Sequence, residues 1–94
     1  MNKYETMFIL KAAMTDEDIA ASIEKFTNLI TGSATLDSSK VWGRRRLAYP
    51  IQDANDGYYV LMHFTSDPDF PAELERNFKI DENVVRYIVL RVEE

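Results

Sequence analysis

Tyr58-Tyr59-Val60-Leu61-Met62-His63-Phe64-Thr65 is the stretch from which the fold is read. Tyr58, Val60, Met62 and Phe64 share one face, and Tyr59, Leu61, His63 and Thr65 share the other. Period-two alternation in aromatic and β-branched types describes a strand with one thoroughly apolar face. Upstream, Gln52-Asp53-Ala54-Asn55-Asp56-Gly57 reads as a loop closing on an Asp-Gly turn signal. From Ala34 to Pro50 there is no helical period, yet Val41-Trp42 and Leu47-Ala48-Tyr49 flank Gly43 and three arginines. That pattern suits one long strand, bulged or bent at Gly43, with Pro50 ending its ladder. The two strands then form an antiparallel hairpin.

Downstream, Asp67-Pro68-Asp69-Phe70-Pro71 is turn chemistry leading into a helix, with Phe70, Leu74 and Phe78 at four-residue steps facing inward as far as about Ile80. Asp81-Glu82-Asn83 turns the chain, and Val84 to Val92 is a final strand, apolar on both faces and interrupted by Arg86 and Arg91. At the other end, residues 3–11 alternate Tyr4, Thr6, Phe8 and Leu10 against Met7 and Ile9. Two apolar faces mark a central strand, with something covering the second face. Thr15 can cap a helix whose first turn carries Asp16, Glu17 and Asp18, and Ile19, Ile23, Phe26 and Ile30 stack on one side of it over residues 16–31. Gly32 supplies its stop. Strand, helix, strand, strand, helix, strand is satisfied by a split βαβ arrangement, an α+β fold. Four antiparallel strands form one sheet, both helices cover one face, and the other face stays open.

A chain of 94 residues, 46% of them hydrophobic, is expected to fold as a single domain spanning 1–94. With no cysteine it has no disulfide framework and no thiolate metal site. It lacks an apolar run of membrane length and the pattern of a signal peptide, so the expectation is a soluble cytoplasmic protein with no membrane partner. The net charge of −5 is unevenly spread. Residues 1–39 hold three lysines against six acids, and residues 50–94 hold four bases against ten acids. Between them Lys40, Arg44, Arg45 and Arg46 stand with no acid at all. A solvated charge run is the plain reading of that island; an anion or RNA contact is the sharper one, because guanidinium forks bind phosphate bidentately and stack on bases.

Catalysis finds little support. His63 is the single histidine, and mid-strand it reads as a packed or hydrogen-bonded sheet residue rather than a general base. Asp16, Glu17 and Asp18 are explained by the helix dipole rather than by a metal. Small phosphatases of this α/β sandwich hold acyl phosphate in the loop after the first strand, but here that loop is Lys11-Ala12-Ala13-Met14, without a glycine to shape a backbone cradle. No enzyme activity, cofactor, metal or small-molecule substrate is expected. The open face, with Tyr59, Leu61 and His63, could stack on bases or receive another protein. A homodimeric ligand-sensing module of the same fold, its arginines holding an anion, is the alternative reading.

Trp42-Gly43-Arg44-Arg45-Arg46-Leu47-Ala48-Tyr49-Pro50-Ile51 resembles the bacterial ribosomal small-subunit protein six family. Lys3-Tyr4-Glu5-Thr6, Asp56-Gly57-Tyr58-Tyr59, and Asn83-Val84 with Arg86 sit where that family places its corresponding segments, so the resemblance covers essentially the whole chain. It implies a ferredoxin-like domain that pairs with ribosomal small-subunit protein eighteen. Together the two would bind the central domain of the small-subunit ribosomal RNA as structural components of the ribosome. By the same resemblance the second strand lies by the partner and the RNA. Arg44, Arg45 and Arg46 are then RNA contacts, with Lys3, Arg86 and Arg91 as further candidates. Trp42 and Leu47 are expected as apolar partner contacts, with Tyr59 and Leu61 of the open face beside them.

Overall fold

Tyr4, Thr6, Phe8 and Leu10 build one buried face of the strand against which everything else is arranged, β1 (Asn2–Lys11). A computed structural model describes residues 1–51 and 54–92, with side chains described for residues 1–44 and 57–92. After β1 come α1 (Asp16–Ser33), β2 (Thr35–Ile51), β3 (Ala54–Ser66), α2 (Phe70–Ile80) and β4 (Val84–Arg91). The sheet runs β2-β3-β1-β4 with every neighbouring pair antiparallel. This is the βαββαβ order expected from the sequence, with β1 and β3 central and β2 and β4 at the edges.

Each helix exists because of a start signal and an apolar stripe. Thr15 Oγ1 accepts a hydrogen bond from the Asp18 N–H at 3.2 Å, satisfying one of the orphan donors at the start of α1. Ile19, Ser22, Phe26 and Ile30 are its buried residues, and Phe70, Leu74 and Phe78 are those of α2, where Pro71 occupies the first turn. The Phe8, Phe26 and Phe78 rings meet with centroids 4.7 to 5.1 Å apart, so one aromatic from each of β1, α1 and α2 ties the two layers together. Thr6 is polar at a fully buried position, and its Oγ1 donates to the Ile88 carbonyl at 2.9 Å. That bond removes the cost of desolvating the hydroxyl and adds a tie between β1 and β4.

Three local expectations are corrected. Gly32 does not stop α1, which continues to Ser33 and is closed by the Ala34 N–H donating to the Ile30 carbonyl. Ala34 has φ −149°, extended backbone open to any residue, so no left-handed glycine cap is needed. Pro50 does not end β2, which extends to Ile51; pairing passes from Arg46–Asp56 to Ile51–Ala54, and an edge strand tolerates a residue without an N–H. The expected loop over 52–57 is mostly strand, because Asp56 and Gly57 pair with Arg46 and Arg45, while Gln52 and Asp53 lie outside the described residues.

What Gly57 provides is space rather than a turn. A Cβ there would collide with Ile9 Cγ2. Gly43, in contrast, has φ +84° and sits at a bulge, where the ladder steps from Val41–Val60 to Gly43–Tyr59 and leaves Trp42 as the extra residue. The bend expected at Gly43 is therefore present, and its cause is a left-handed residue that only glycine adopts without penalty.

Candidate nucleic-acid and partner interface

The open face is laid out in rows by the ladder. Gly43, Tyr59, Ile9 and Arg86 form one row, Lys40, Leu61, Met7 and Ile88 the next, and Ser38, His63, Glu5 and Leu90 a third. Lys3 stands in the outermost row, opposite Thr65. The face is apolar toward β4: Ile88 and Leu90 are 51% and 52% exposed, beside half-buried Met7 and Leu61. Met7, Ile9, Arg86, Tyr87 and Ile88 line an open depression there. Exposed aliphatic side chains in adjacent rows are the signature of a surface that another molecule covers.

Tyr59 and Leu61, expected as partner contacts, do lie on this face and are half-buried. Trp42, at the bulge, is 40% exposed. The side chain of Leu47 lies outside the described residues. Ile88 and Leu90 are additions that sequence reasoning left unassigned. Their signal was present, since residues 84 to 92 are apolar at both parities, but only the register says which parity faces away from the helices.

His63 is held between strands. Its Nε2 lies 3.0 Å from Glu5 Oε1, and its Nδ1 lies 3.1 Å from Ser38 Oγ. All three belong to one row crossing β2, β3 and β1, so the histidine is a hydrogen-bonded sheet residue, as expected. Next to it Thr65 Oγ1 donates to Asp37 Oδ2 at 2.7 Å. This part of the open face is polar and internally paired, in contrast to the apolar part near β4.

The basic island sits where the sheet narrows. β1 reaches only to Lys11, opposite Gly57, and Gly57 pairs with Arg45. The pairs Arg46–Asp56 and Ile51–Ala54 therefore lie beyond the last row backed by β1, in a two-stranded ribbon. Arg44 stands at the root of that ribbon, opposite Tyr58. Its Nη2 donates to the Met14 carbonyl at 3.1 Å and to Asp16 Oδ1 at 3.0 Å, its Nε donates to the Ala12 carbonyl at 3.5 Å, and the guanidinium lies 5.8 Å from the Tyr58 ring centre. The β1–α1 loop thus presents carbonyl oxygens to a cation, the opposite polarity to a phosphate cradle. The side chains of Arg45 and Arg46 lie outside the described residues.

The further basic candidates do not form one cluster. Arg86, opposite Ile9, is on the open face at the same end of the sheet as the basic island, three strands from β2, or about 14 Å at ordinary strand spacing. Lys3 is at the far end, six residues along β1 from Ile9, or about 20 Å. Arg91 is also at that far end but opposite Tyr4, on the helix-side register, and its Nη2 donates to Asn2 Oδ1 at 3.2 Å.

Comparison with known proteins gives one consistent result. A model of the family described as Ribosomal protein S6 matches residues 3–91. Small ribosomal subunit protein bS6 of Clostridium acetobutylicum is 42% identical over 95 residues, covering 100% of both chains. That of Clostridium botulinum, strain Loch Maree, is 44% identical over 94 residues, covering 99% of this chain and 100% of the other. Among solved structures, 30S ribosomal protein S6 from Thermotoga maritima superposes with a TM-score of 0.91 at 26% identity, over 97% of this chain and 87% of that one. The C-terminal domain of the MgtC protein from Mycobacterium tuberculosis, with a TM-score of 0.58 at 18% identity, shares the fold alone.

Proposed function

Because the chain belongs to the ribosomal protein S6 family, we propose that it binds the central domain of the small-subunit ribosomal RNA jointly with ribosomal small-subunit protein eighteen, as one structural, non-catalytic domain. Membership makes it a protein of the bacterial small ribosomal subunit, acting in translation and associated with the ribosome in the cytoplasm.

The observation that carries the proposal is the placement of the basic island. An acidic chain keeps Lys40, Arg44, Arg45 and Arg46 free of intervening acids, and the ladder puts the three arginines at the root and along the ribbon that leaves the sheet. Arg45 and Arg46 are the assigned phosphate contacts. Arg86, at the same end of the sheet, is assigned as an additional one, and Lys3 and Arg91 would be reached only by RNA that passes the opposite end. Trp42, Tyr59 and Leu61, with Leu47 on the ribbon, are assigned to the protein partner, joined by Ile88 and Leu90. A chain with net charge −5 gains little from counterion release on its own, so a basic partner supplies the remaining phosphate neutralisation.

The test is a gel shift with a central-domain ribosomal RNA fragment, with and without the partner, at two salt concentrations. Binding is expected only with the partner, and it should weaken as salt rises. Changing both Arg45 and Arg46 to Ala should leave the fold intact and reduce the salt slope by about one unit for each phosphate deprived of its arginine. An unchanged slope removes those two residues from the interface. A homodimer that shows no RNA affinity with or without the partner overturns the proposal.

A further inference from the structure

We infer that Arg44 is not a phosphate ligand but the clamp that fixes the projecting β2–β3 ribbon to the body of the protein, a positioning residue for the arginines beyond it. Two strands alone are marginal in water, and past the Arg45–Gly57 pair this ribbon has no third strand beside it among the described residues. Its direction therefore depends on what holds its root. Arg44 occupies that root, and its fork reaches three acceptors outside the ribbon: the Ala12 and Met14 carbonyls of the β1–α1 loop and Asp16 Oδ1 at the start of α1. The Tyr58 ring beneath the guanidinium belongs to the other strand of the ribbon, so one side chain joins β2, β3 and the β1–α1 loop. Gly43 makes this possible. Its left-handed backbone and the bulge at Trp42 shift the alternation of β2 by one residue, which brings Arg44 into the row of Tyr58 and Leu10 on the helix side. A lysine has three donors but all on one nitrogen, whereas the guanidinium reaches these acceptors from two, Nε and Nη2, held in one plane.

The geometry stands without RNA; the purpose of the clamp rests on the RNA-binding reading above. Hydrogen exchange on the free, full-length protein tests the first part with the variants Arg44→Gln, Arg44→Lys and Asp16→Asn. Both Arg44 variants are expected to speed exchange of amides in residues 45–51 and 54–57 at least tenfold while those of β1 and β4 keep their rates. Unchanged rates in the ribbon, or equal acceleration in all four strands, overturn the clamp. RNA binding with the partner tests the second part. Asp16→Asn retains every arginine and removes a negative charge, so it strengthens binding if Arg44 is a phosphate ligand and weakens it three- to tenfold if Arg44 positions the ribbon. Stronger binding overturns the inference. If the unmodified protein binds no RNA, the proposed function fails, and hydrogen exchange still decides the clamp.

Discussion

Replacing Gly57 by Ala is expected to destabilise the protein because of one methyl group, and the partner in that clash can be removed independently. Gly57 is buried on the open face, where Ile9 lies over it and leaves no room for a Cβ beside Ile9 Cγ2. The next neighbours, the Leu10 carbonyl oxygen at 3.5 Å and Tyr59 Cε1 at 3.6 Å, are at ordinary contact distance. Overpacking of this kind costs about 1–3 kcal/mol, while removing a glycine from the unfolded chain returns about 0.4–1 kcal/mol. The difference is a net loss of up to about 2.6 kcal/mol, with about 1.3 kcal/mol at mid-range, where Tm falls by roughly 5–10 °C for a domain of this size. Urea unfolding of the four members of a double-mutant cycle, with Ile9→Ala as the second change, reads the coupling. In the Ile9→Ala background the clash is gone, and Gly57→Ala should become neutral or stabilising by about 0.4–1 kcal/mol. If Asp56-Gly57 instead made a turn requiring positive φ, Gly57→Ala would cost the same in both backgrounds. An equal cost refutes the packing explanation.

Gly43 behaves differently. With φ +84° and nothing among the described residues within 4 Å of an added Cβ, Gly43→Ala should cost about 1–2 kcal/mol of backbone strain in chemical unfolding, and Gly43→Asn should cost less. Thr15→Ala removes the acceptor for the Asp18 N–H and should cost about 0.5–2 kcal/mol by the same measurement, with Thr15→Asp close to neutral. Phe78→Ala, at a site where one ring meets Phe8, Phe26 and Tyr87, should cost about 3–5 kcal/mol, and a thermal midpoint shifted by only a few degrees would contradict that packing.

Element order, both helices and the burial of Phe8, Phe26, Val60, Met62, Phe64, Leu74 and Phe78 were legible because each rests on a periodicity that burial enforces. What escaped depends on contacts between distant segments. Asp56-Gly57 carries the local signal of a turn, and nothing nearby in sequence reveals that Ile9 needs the space. Pro50 carries the local signal of a strand end, yet whether it ends a ladder depends on β2 being an edge. The three adjacent arginines look equivalent in sequence. The acceptors that distinguish Arg44 lie on the β1–α1 loop and the first residue of α1, 28 to 32 residues away. Alternation alone puts Arg86 and Arg91 on opposite faces of β4, but only the register shows that Arg86 is the one on the open face.

The basic island and the apolar part of the open face lie toward opposite edges of the sheet, with Arg86 beside the apolar part, and this layout bears on how the two proposed contacts divide. Ile88 and Leu90 lie on β4, one edge of the sheet, while Arg44 to Arg46 lie on β2, the other edge, at the end where the ribbon projects. Away from the ribbon, Ser38, His63 and Glu5 form a row across β2, β3 and β1, and their polar atoms are already bonded to one another. A protein seated on Met7, Leu61, Ile88 and Leu90 would bury aliphatic surface without displacing those bonds, and would reach the ribbon only at Leu47. Under the proposed function, the partner then adds positive charge beside the chain, and Arg45 and Arg46 are the residues assigned to phosphate. Phosphate contacts position a complex without specifying base sequence. Recognition would accordingly depend on RNA shape and on the fixed angle between ribbon and sheet, which is the quantity that Arg44 is inferred to set.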